Sequence, residues 1–346
     1  LSAGQKQGIA RQCAILGGVP EEKTAYSINM VCGSGMKAVM NAYSDIVAGF
    51  ASVVIAGGTE SMTNAGFVLP AEIRGGFKMG NLQAADHMVT DGLTDAFNNY
   101  HMGITAENIA EQFGISREEQ DAFAYLSQQK AIKAVDEDKF KEEIVPFEIV
   151  SRKETIVFDK DEFPNRTSTP EKLAALRPAF KKDGTVTAGN ASGVNDGAAF
   201  VMLAGEEAVR NFNLKPIAEI VAFGEGGVDP AVMGLGPVPA IRMALKRAGM
   251  QLTDMEIVEL NEAFAAQSLG VIRSLEKEHG VSREWIDEHT NIHGGAIALG
   301  HPIGASGCRI LVSLVHELKI YNKKTGLASL CIGGGMGTAI IVKAVN

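Results

Sequence analysis

The sequence predicts an α/β protein made of two similar units, with a long loop-rich segment inserted into the first. Three observations carry this. The order glycine turn, amphipathic helix, apolar strand, glycine cluster occurs twice. It runs from Gly33-Ser34-Gly35 through Val53–Ala56 to Gly57-Gly58, and again from Gly304-Ala305-Ser306-Gly307 through Leu327–Ile332 to Gly333-Gly334-Gly335. Short apolar runs bounded by glycine, such as Val53-Val54-Ile55-Ala56, read as central strands covered on both faces. From residue 63 to 104 periodicity fades into Gly, Met, Asn and Asp, a loop too long for one compact domain unless it is functional or an oligomer contact. Residues 1–62 plus 191–214 are assigned to the first half, 63–190 to the inserted loop domain, and 215–346 to the second half.

Composition narrows the function classes. A chain of 346 residues can bury two or three cores. Its net charge of −9 argues against a nucleic-acid or anionic-membrane partner. No apolar run reaches the roughly 18 residues that span a bilayer. The four cysteines, Cys13, Cys32, Cys308 and Cys331, are too scattered for a disulfide framework, so a reducing, cytoplasmic compartment is expected. Neither a C-x-x-C pair nor H-E-x-x-H is present, and no metal is expected.

The elements follow in order. Residues 9–16 make a short helix ended by Gly17-Gly18-Val19-Pro20. Residues 25–31 read as a strand, followed by a helix to about Ala48 whose apolar residues Met36, Val39, Met40, Tyr43, Ile46 and Val47 share one face. Strand, helix and the strand at Val53 imply a right-handed crossover and a parallel sheet. Ser116-Arg117-Glu118-Glu119 is a capping box for a helix to about Val135. Residues 144–158 have strand character, and 160–183 form a loop with a helical turn near Leu173. Residues 185–204 return to the sheet. Then come a strand at Ile217–Val221, a helix at Pro237–Gly249, a strand at Ile257–Leu260, a helix from Glu262 to about Ser274, a polar excursion over 281–289, and the repeated unit that ends the chain.

Cys32 ends an apolar lead-in at a glycine turn, at or just before a helix. Unpaired N–H groups and the positive dipole end favour a thiolate there. Two other readings compete. A lone cysteine can be a small buried hydrophobe, and Gly33, Gly35 and Ala38 match a dinucleotide fingerprint with Glu60 as a ribose contact. A distant base and an oxyanion site would decide for the nucleophile. Facing halves would bring both glycine turns, and hence Cys32 and the final segment, to one pseudo-twofold axis. Three stretches could supply the chemistry. His301, between Gly300 and Pro302, is a plausible base for a thiol. Cys331 ends a strand that leads into the free N–H groups of Gly333-Gly334-Gly335. Asn261 stands at a strand-to-helix junction, where it is also a good N-cap. His279, His289 and His316 read as surface or structural.

Together these stretches resemble the thiolase family, the acyl-CoA acetyltransferases. The motifs are Asn29-x-x-Cys32-Gly-Ser-Gly, Asn261-Glu-Ala-Phe-Ala, Gly300-His-Pro-Ile-Gly-Ala-Ser-Gly and Cys331-Ile-Gly-Gly-Gly-Met-Gly, with Ala188-Gly-Asn-Ala-Ser192-Gly, Tyr100-His101-Met102-Gly103 and Leu176-Arg-Pro-Ala-Phe180. The resemblance implies duplicated α/β units in a five-layer α-β-α-β-α core. It implies Cys32 as the acyl-carrying nucleophile, His301 as its activator, and Cys331 as the acid/base on the second acyl-CoA. Asn261 would hold a water that forms one oxyanion site with His301; the N–H groups of Cys32 and Gly333 would form the other. Leu93, His101, Met102, Arg166, Phe180, Ala188, Ser192, Met233 and Phe264 would line the coenzyme A channel. Lys172 stands where a small polar residue is expected near the adenine end.

The implied reaction is the reversible condensation of two acetyl-CoA to acetoacetyl-CoA and CoA, with coenzyme A thioesters as substrates and no permanently bound cofactor. Tyr100-His101-Met102-Gly103 resembles the short-chain members, and the segment 63–80 resembles the one that pairs dimers into homotetramers. A degradative 3-ketoacyl-CoA thiolase of broader chain length and a non-catalytic acyl-CoA binding protein are the alternatives. Family members begin with a strand and helix that this sequence lacks, so bare apolar surface is expected on the first sheet.

Overall fold

The computed structural model describes residues 1–345. In chain order the elements are α1 (Ile9–Leu16), α2 (Ser34–Val47), β1 (Val53–Ser61), β2 (Phe67–Val68), β3 (Ala85–Asp86), α3 (Met102–Phe113), α4 (Arg117–Asp136), β4 (Phe147–Val150), β5 (Thr155–Phe158), α5 (Pro170–Ala174) and β6 (Asp196–Ala204). They continue with α6 (Glu206–Asn211), β7 (Ala218–Gly227), α7 (Pro237–Ala248), β8 (Ile257–Leu260), α8 (Ala265–His279), α9 (Arg283–His289), α10 (Ala296–Leu299), α11 (Ile303–Ile320), β9 (Thr325–Ile332) and β10 (Met336–Ala344).

Two sheets enclose a pair of helices. β1 pairs with β6, and the second sheet runs β7-β10-β9-β8. Between them lie α2 and α11, whose apolar stripes (Met36, Val39, Met40; Leu311, Leu314, Leu318) meet Val54, Val201 and Leu203 from one sheet and Ala328, Leu330, Ile340 and Val342 from the other. The alternate residues Leu327, Ala339 and Ile341 point the opposite way, against Ile241 and Leu245 of α7 and Ile272 and Leu275 of α8. A strand covered on both faces must be apolar on both, which is why β9 is apolar from Leu327 to Ile332 except for Ser329, whose hydroxyl donates to Thr338 C=O at 2.8 Å.

The first sheet differs from expectation in three ways. β1 and β6 are antiparallel, with Val53 opposite Ala204 and Ser61 opposite Asp196, so the expected parallel pairing is not what forms. Residues 25–31 carry an apolar residue at every second position but find no partner strand, and run as irregular chain into a single turn at Val31–Gly33. β1 is covered on one face only: Val53, Ile55, Phe200 and Met202 stand exposed on the other. This corrects the doubly covered strand read at Val53–Ala56, while bare apolar surface on this sheet was separately expected.

Downstream, α4 opens with the expected box: Ser116 Oγ accepts from Glu119 N–H at 3.2 Å, and Glu119 Oε2 accepts from Ser116 N–H at 2.9 Å. Residues 185–192 are a strap rather than a strand. Glu107 accepts from the N–H groups of Thr185 and Val186, while Asn190 bonds Asp121 and receives the N–H of Ala265 at 2.8 Å. The polar stretch after Val281 holds a helix after all, α9, capped by Ser282 and buried through Ile286.

α2 and α11 cross so closely that their glycines are required. A Cβ on Gly35 would lie 2.9 Å from Cys308 N and 3.0 Å from Gly304 O, and one on Gly307 would lie 2.7 Å from Met36 N. The two glycine turns of the repeat therefore meet at this crossing, as the facing-halves reading expects.

Candidate active site

Cys32 lies in the turn that feeds α2. Asn29 Oδ1 accepts from Val31 N–H at 3.0 Å, and Ser34 Oγ bridges Met30 N–H (2.9 Å) and Val31 C=O (2.7 Å). So clamped, Val31 takes a left-handed φ of 48°, which a β-branched residue rarely adopts. Space is equally tight at Gly33, whose Cβ would lie 2.3 Å from Ile332 Cδ1.

The close of β9 and the turn after it bring the second set of groups. A Cβ on Gly333 would lie 3.6 Å from Met102 Sδ and 3.8 Å from Val31 Cγ1, so this turn packs on the Cys32 turn, and the N–H groups of Gly333 and of Cys32 itself act to lower the Cys32 thiol. Burial still wins: it pushes the Cys32 thiol up to about 11, against the lowering by those two N–H groups. The expectation of a thiolate stabilised at a helix start is thus corrected. Desolvation of the sulfur outweighs the dipole, and Cys32 is a thiol until a base takes its proton. Cys331, 1% exposed, sits with Met102, Met233 and Phe264. Its thiol is raised as well, first by burial and then by the charge of Cys32, which places the two sulfurs within electrostatic reach.

His301 enters from the loop before α11. Its N–H donates to Asn195 Oδ1 at 3.1 Å, its Nδ1 lies 2.6 Å from Ser306 Oγ, and Asn261 Nδ2 lies 3.4 Å from the same nitrogen. Burial, and secondarily the Arg309 charge, lowers its pKa to about 4, so the ring is neutral at pH 7. Neutral imidazole is the form that accepts a proton. Asn261 does not cap α8. That helix begins at Ala265 with Phe264 at its N-cap, extended and bridged to Ala191. Asn261 is buried, and its Oδ1 has no partner among the described residues.

Of the expected channel residues, Met102, Met233 and Phe264 form one cluster with Cys331, and Phe180 packs on it. His101 stacks on Phe180 with ring centroids 4.5 Å apart, and its Nδ1 accepts from Gly103 N–H at 3.0 Å at the start of α3. Leu93 lies beside them, its C=O accepting from Met102 N–H at 2.8 Å. Ser192 is fixed by its N–H to Ala263 C=O at 3.0 Å. Arg166 and Ala188 line a cavity of about 570 Å³ with Asn165, Ser168 and Leu173, a size within the range of small-molecule sites. Arg166 is held there by two bonds to Asp136, 3.0 and 2.6 Å long. Lys172 is exposed and donates to Thr167 C=O at 2.8 Å.

Sequence reasoning passed over Asn195, Ser306 and the use of Glu60. Asn195 stood in a stretch that reads as a turn, and Ser306 lay inside a quoted motif without a role. Glu60, the ribose contact of the dinucleotide reading, instead accepts the N–H of Gly304 at 3.0 Å, at the positive end of α11.

Comparison with known proteins shows the family. The family model for "Thiolase, N-terminal domain" matches residues 1–207, and that for "Thiolase, C-terminal domain" matches residues 214–344. A protein of Syntrophomonas wolfei named acetyl-CoA acetyltransferase is 54% identical, over 100% of this chain and 86% of that protein. The solved structure of an acetyl-CoA acetyltransferase from Syntrophomonas wolfei superposes with a TM-score of 0.96 at 43% identity, covering 100% of this chain and 86% of that one. The human mitochondrial 3-ketoacyl-CoA thiolase superposes at 0.91 and 45% identity, covering 97% and 83%. With both halves matched by the two domain models and nearly every residue aligned to enzymes of one fold, this chain belongs to the thiolase family.

Proposed function

We propose that this protein condenses two acetyl-CoA into acetoacetyl-CoA and CoA, reversibly, through an acetyl-Cys32 intermediate. One observation carries the reading: half-buried Cys32 and buried Cys331, from opposite ends of the chain, are brought together where the Cys32 turn packs on the end of β9, and Cys331 lies within the field of Cys32. The names of relatives that are 54% identical support the choice of acetyl-CoA as substrate.

His301 takes the proton of Cys32, and the sulfur attacks the thioester carbonyl. The Cys32 S–C bond forms, the bond to CoA sulfur breaks, and Cys331 gives its proton to the departing thiolate. Cys331 then removes the α-proton of the second acetyl-CoA. The carbanion attacks acetyl-Cys32, a C–C bond forms, and Cys32 leaves and regains its proton from His301. Covalent capture splits one hard step into two. The N–H groups of Cys32 and Gly333 would stabilise one oxyanion; Asn261 and His301, through a water, the other. Each such donor is worth about 3–4 kcal/mol in comparable sites.

The stacked His101–Phe180 pair and the buried Met102 favour an acetyl-sized pocket. Arg166, Ala188 and the strap through Ser192 would hold the coenzyme A arm. The exposed Phe67, Val68, Phe77 and Met79 suit a contact that pairs dimers into tetramers, and four unpaired cysteines suit the cytoplasm.

Brief exposure to radiolabelled acetyl-CoA followed by peptide mass spectrometry tests the reading. Label is expected on Cys32, lost in Cys32→Ser, and kept without condensation in Cys331→Ser. Label on Cys331 would reverse the two roles. Efficient cleavage of a ten-carbon 3-ketoacyl-CoA would favour the degradative alternative, which the likeness to the human 3-ketoacyl-CoA thiolase keeps in view.

A further inference from the structure

We propose that Ser306 is a positioning residue that sets the tautomer of His301, keeping the ring proton on Nδ1 and the lone pair on Nε2. The inference rests on the reading of His301 as the base for Cys32. Ser306 sits in the first turns of α11 and is fully buried. Its hydroxyl lies 2.6 Å from His301 Nδ1 and 3.0 Å from the C=O of Pro302. A hydroxyl has one proton to give, and a carbonyl can only accept. The Ser306 proton therefore goes to Pro302, and the hydroxyl turns a lone pair to Nδ1, which must carry hydrogen.

The helix itself builds this device. Bonding of a serine to the carbonyl four residues back is a local option of helical serines, and the same Pro302 C=O also receives the Ser306 N–H at 2.9 Å. The imidazole has little freedom to turn away, since its own backbone N–H is fixed on Asn195. One contact opposes the assignment. Asn261 Nδ2, if it donated to Nδ1, would require a lone pair there. At 3.4 Å against 2.6 Å it is the weaker contact, and its partnerless Oδ1 could accept from Nδ1–H if the amide were turned over. Nε2 has no hydrogen-bond partner among the described residues. It is the nitrogen left to act, and a base must present a lone pair, not a proton.

Histidine-selective ¹⁵N labelling of the intact protein tests this, with the His301 signals identified by their loss in His301→Asn. At pH 7 the wild type is expected to show Nδ1 protonated and Nε2 unprotonated. Ser306→Ala is expected to give a mixture of tautomers and acetylation of Cys32 slowed about tenfold, the factor an ordinary net hydrogen bond supplies. Ser306→Thr, which keeps the hydroxyl, should restore both. A wild-type spectrum with the proton on Nε2 would overturn the proposal whatever the variants do. So would Ser306→Ala with unchanged tautomer and rate. If wild-type Cys32 never takes up acetyl, the function reading fails instead, and the nitrogen spectrum still reports the tautomer independently.

Discussion

Replacing Gly35 by alanine would strain the crossing that brings the two halves of the site together. The new Cβ would lie 2.9 Å from Cys308 N, 3.0 Å from Gly304 O and 3.2 Å from Ala305 O. All three are backbone atoms of the first turns of α11, so no side chain can swing aside. Restoring ordinary contact requires the helices to part by about 0.5 Å. Forced overpacking of this kind costs about 1–3 kcal/mol, against about 1 kcal/mol that alanine gains over glycine in a helix. The net loss in stability is therefore small, a fall in Tm of a few degrees at most. The effect on chemistry is larger. Cys32 lies two residues before α2 and His301 two residues before α11, so parting the helices moves the base from the nucleophile. A displacement near 1 Å costs on the order of a hundredfold in rate, and half of that predicts about tenfold slower acetylation of Cys32. Rapid-quench acetylation and thermal unfolding, run beside Gly66→Ala, would measure both. A Cβ on Gly66 meets nothing within 4 Å, and that variant should match the wild type. Gly35→Ala with wild-type Tm and acetylation rate would show that the crossing does not govern the site.

Further outcomes are expected. With its thiol pushed up to about 11, Cys32 should react with iodoacetamide at a rate that climbs about tenfold per pH unit from neutrality towards pH 11, as thiolate forms; peptide mass spectrometry at Cys32 showing a plateau below pH 8 would contradict the burial argument. His301 is lowered to about 4, so between pH 6.5 and 4 the unfolded chain binds a proton that the folded chain refuses. Stability should fall as pH drops through that window, by up to about 3 kcal/mol from this group. His301→Asn should flatten that limb in urea unfolding at pH 4.5 and 7, and parallel curves for the two proteins would refute it. Met102→Ala should widen the acyl pocket and raise the preference for six- over four-carbon 3-ketoacyl-CoA about tenfold; an unchanged ratio of kcat/KM values would remove Met102 from the specificity argument.

How much of this was legible depends on where each signal resides. β8 matched its expected bounds, Ile257–Leu260, because Ile257, Val258 and Leu260 form a short apolar run between Glu256 and Asn261, although Glu259 lies buried inside it with Arg309 as partner. Residues 25–31 carry a strand-like alternation of Tyr26, Ile28 and Met30, but a strand exists only by its partner, and sequence does not show partners. The start of α8 was placed at Glu262 because Asn261 has capping chemistry; the fold puts that amide beside His301 instead. The glycine turns and the order of the motifs were readable, since each is local. The direction of the Cys32 shift was not. It is set by how far distant residues exclude water from one sulfur, which overrides the local field of α2.

Val31 bears on any attempt to harden this protein against heat. Its left-handed φ of 48° is a conformation that glycine adopts freely, so Val31→Gly relaxes the strained turn while freeing the unfolded chain as well. A directed-evolution campaign scored only on survival at high temperature would have reason to sample position 31. Variants that let this turn relax would carry a nucleophile no longer braced at the height its partners require.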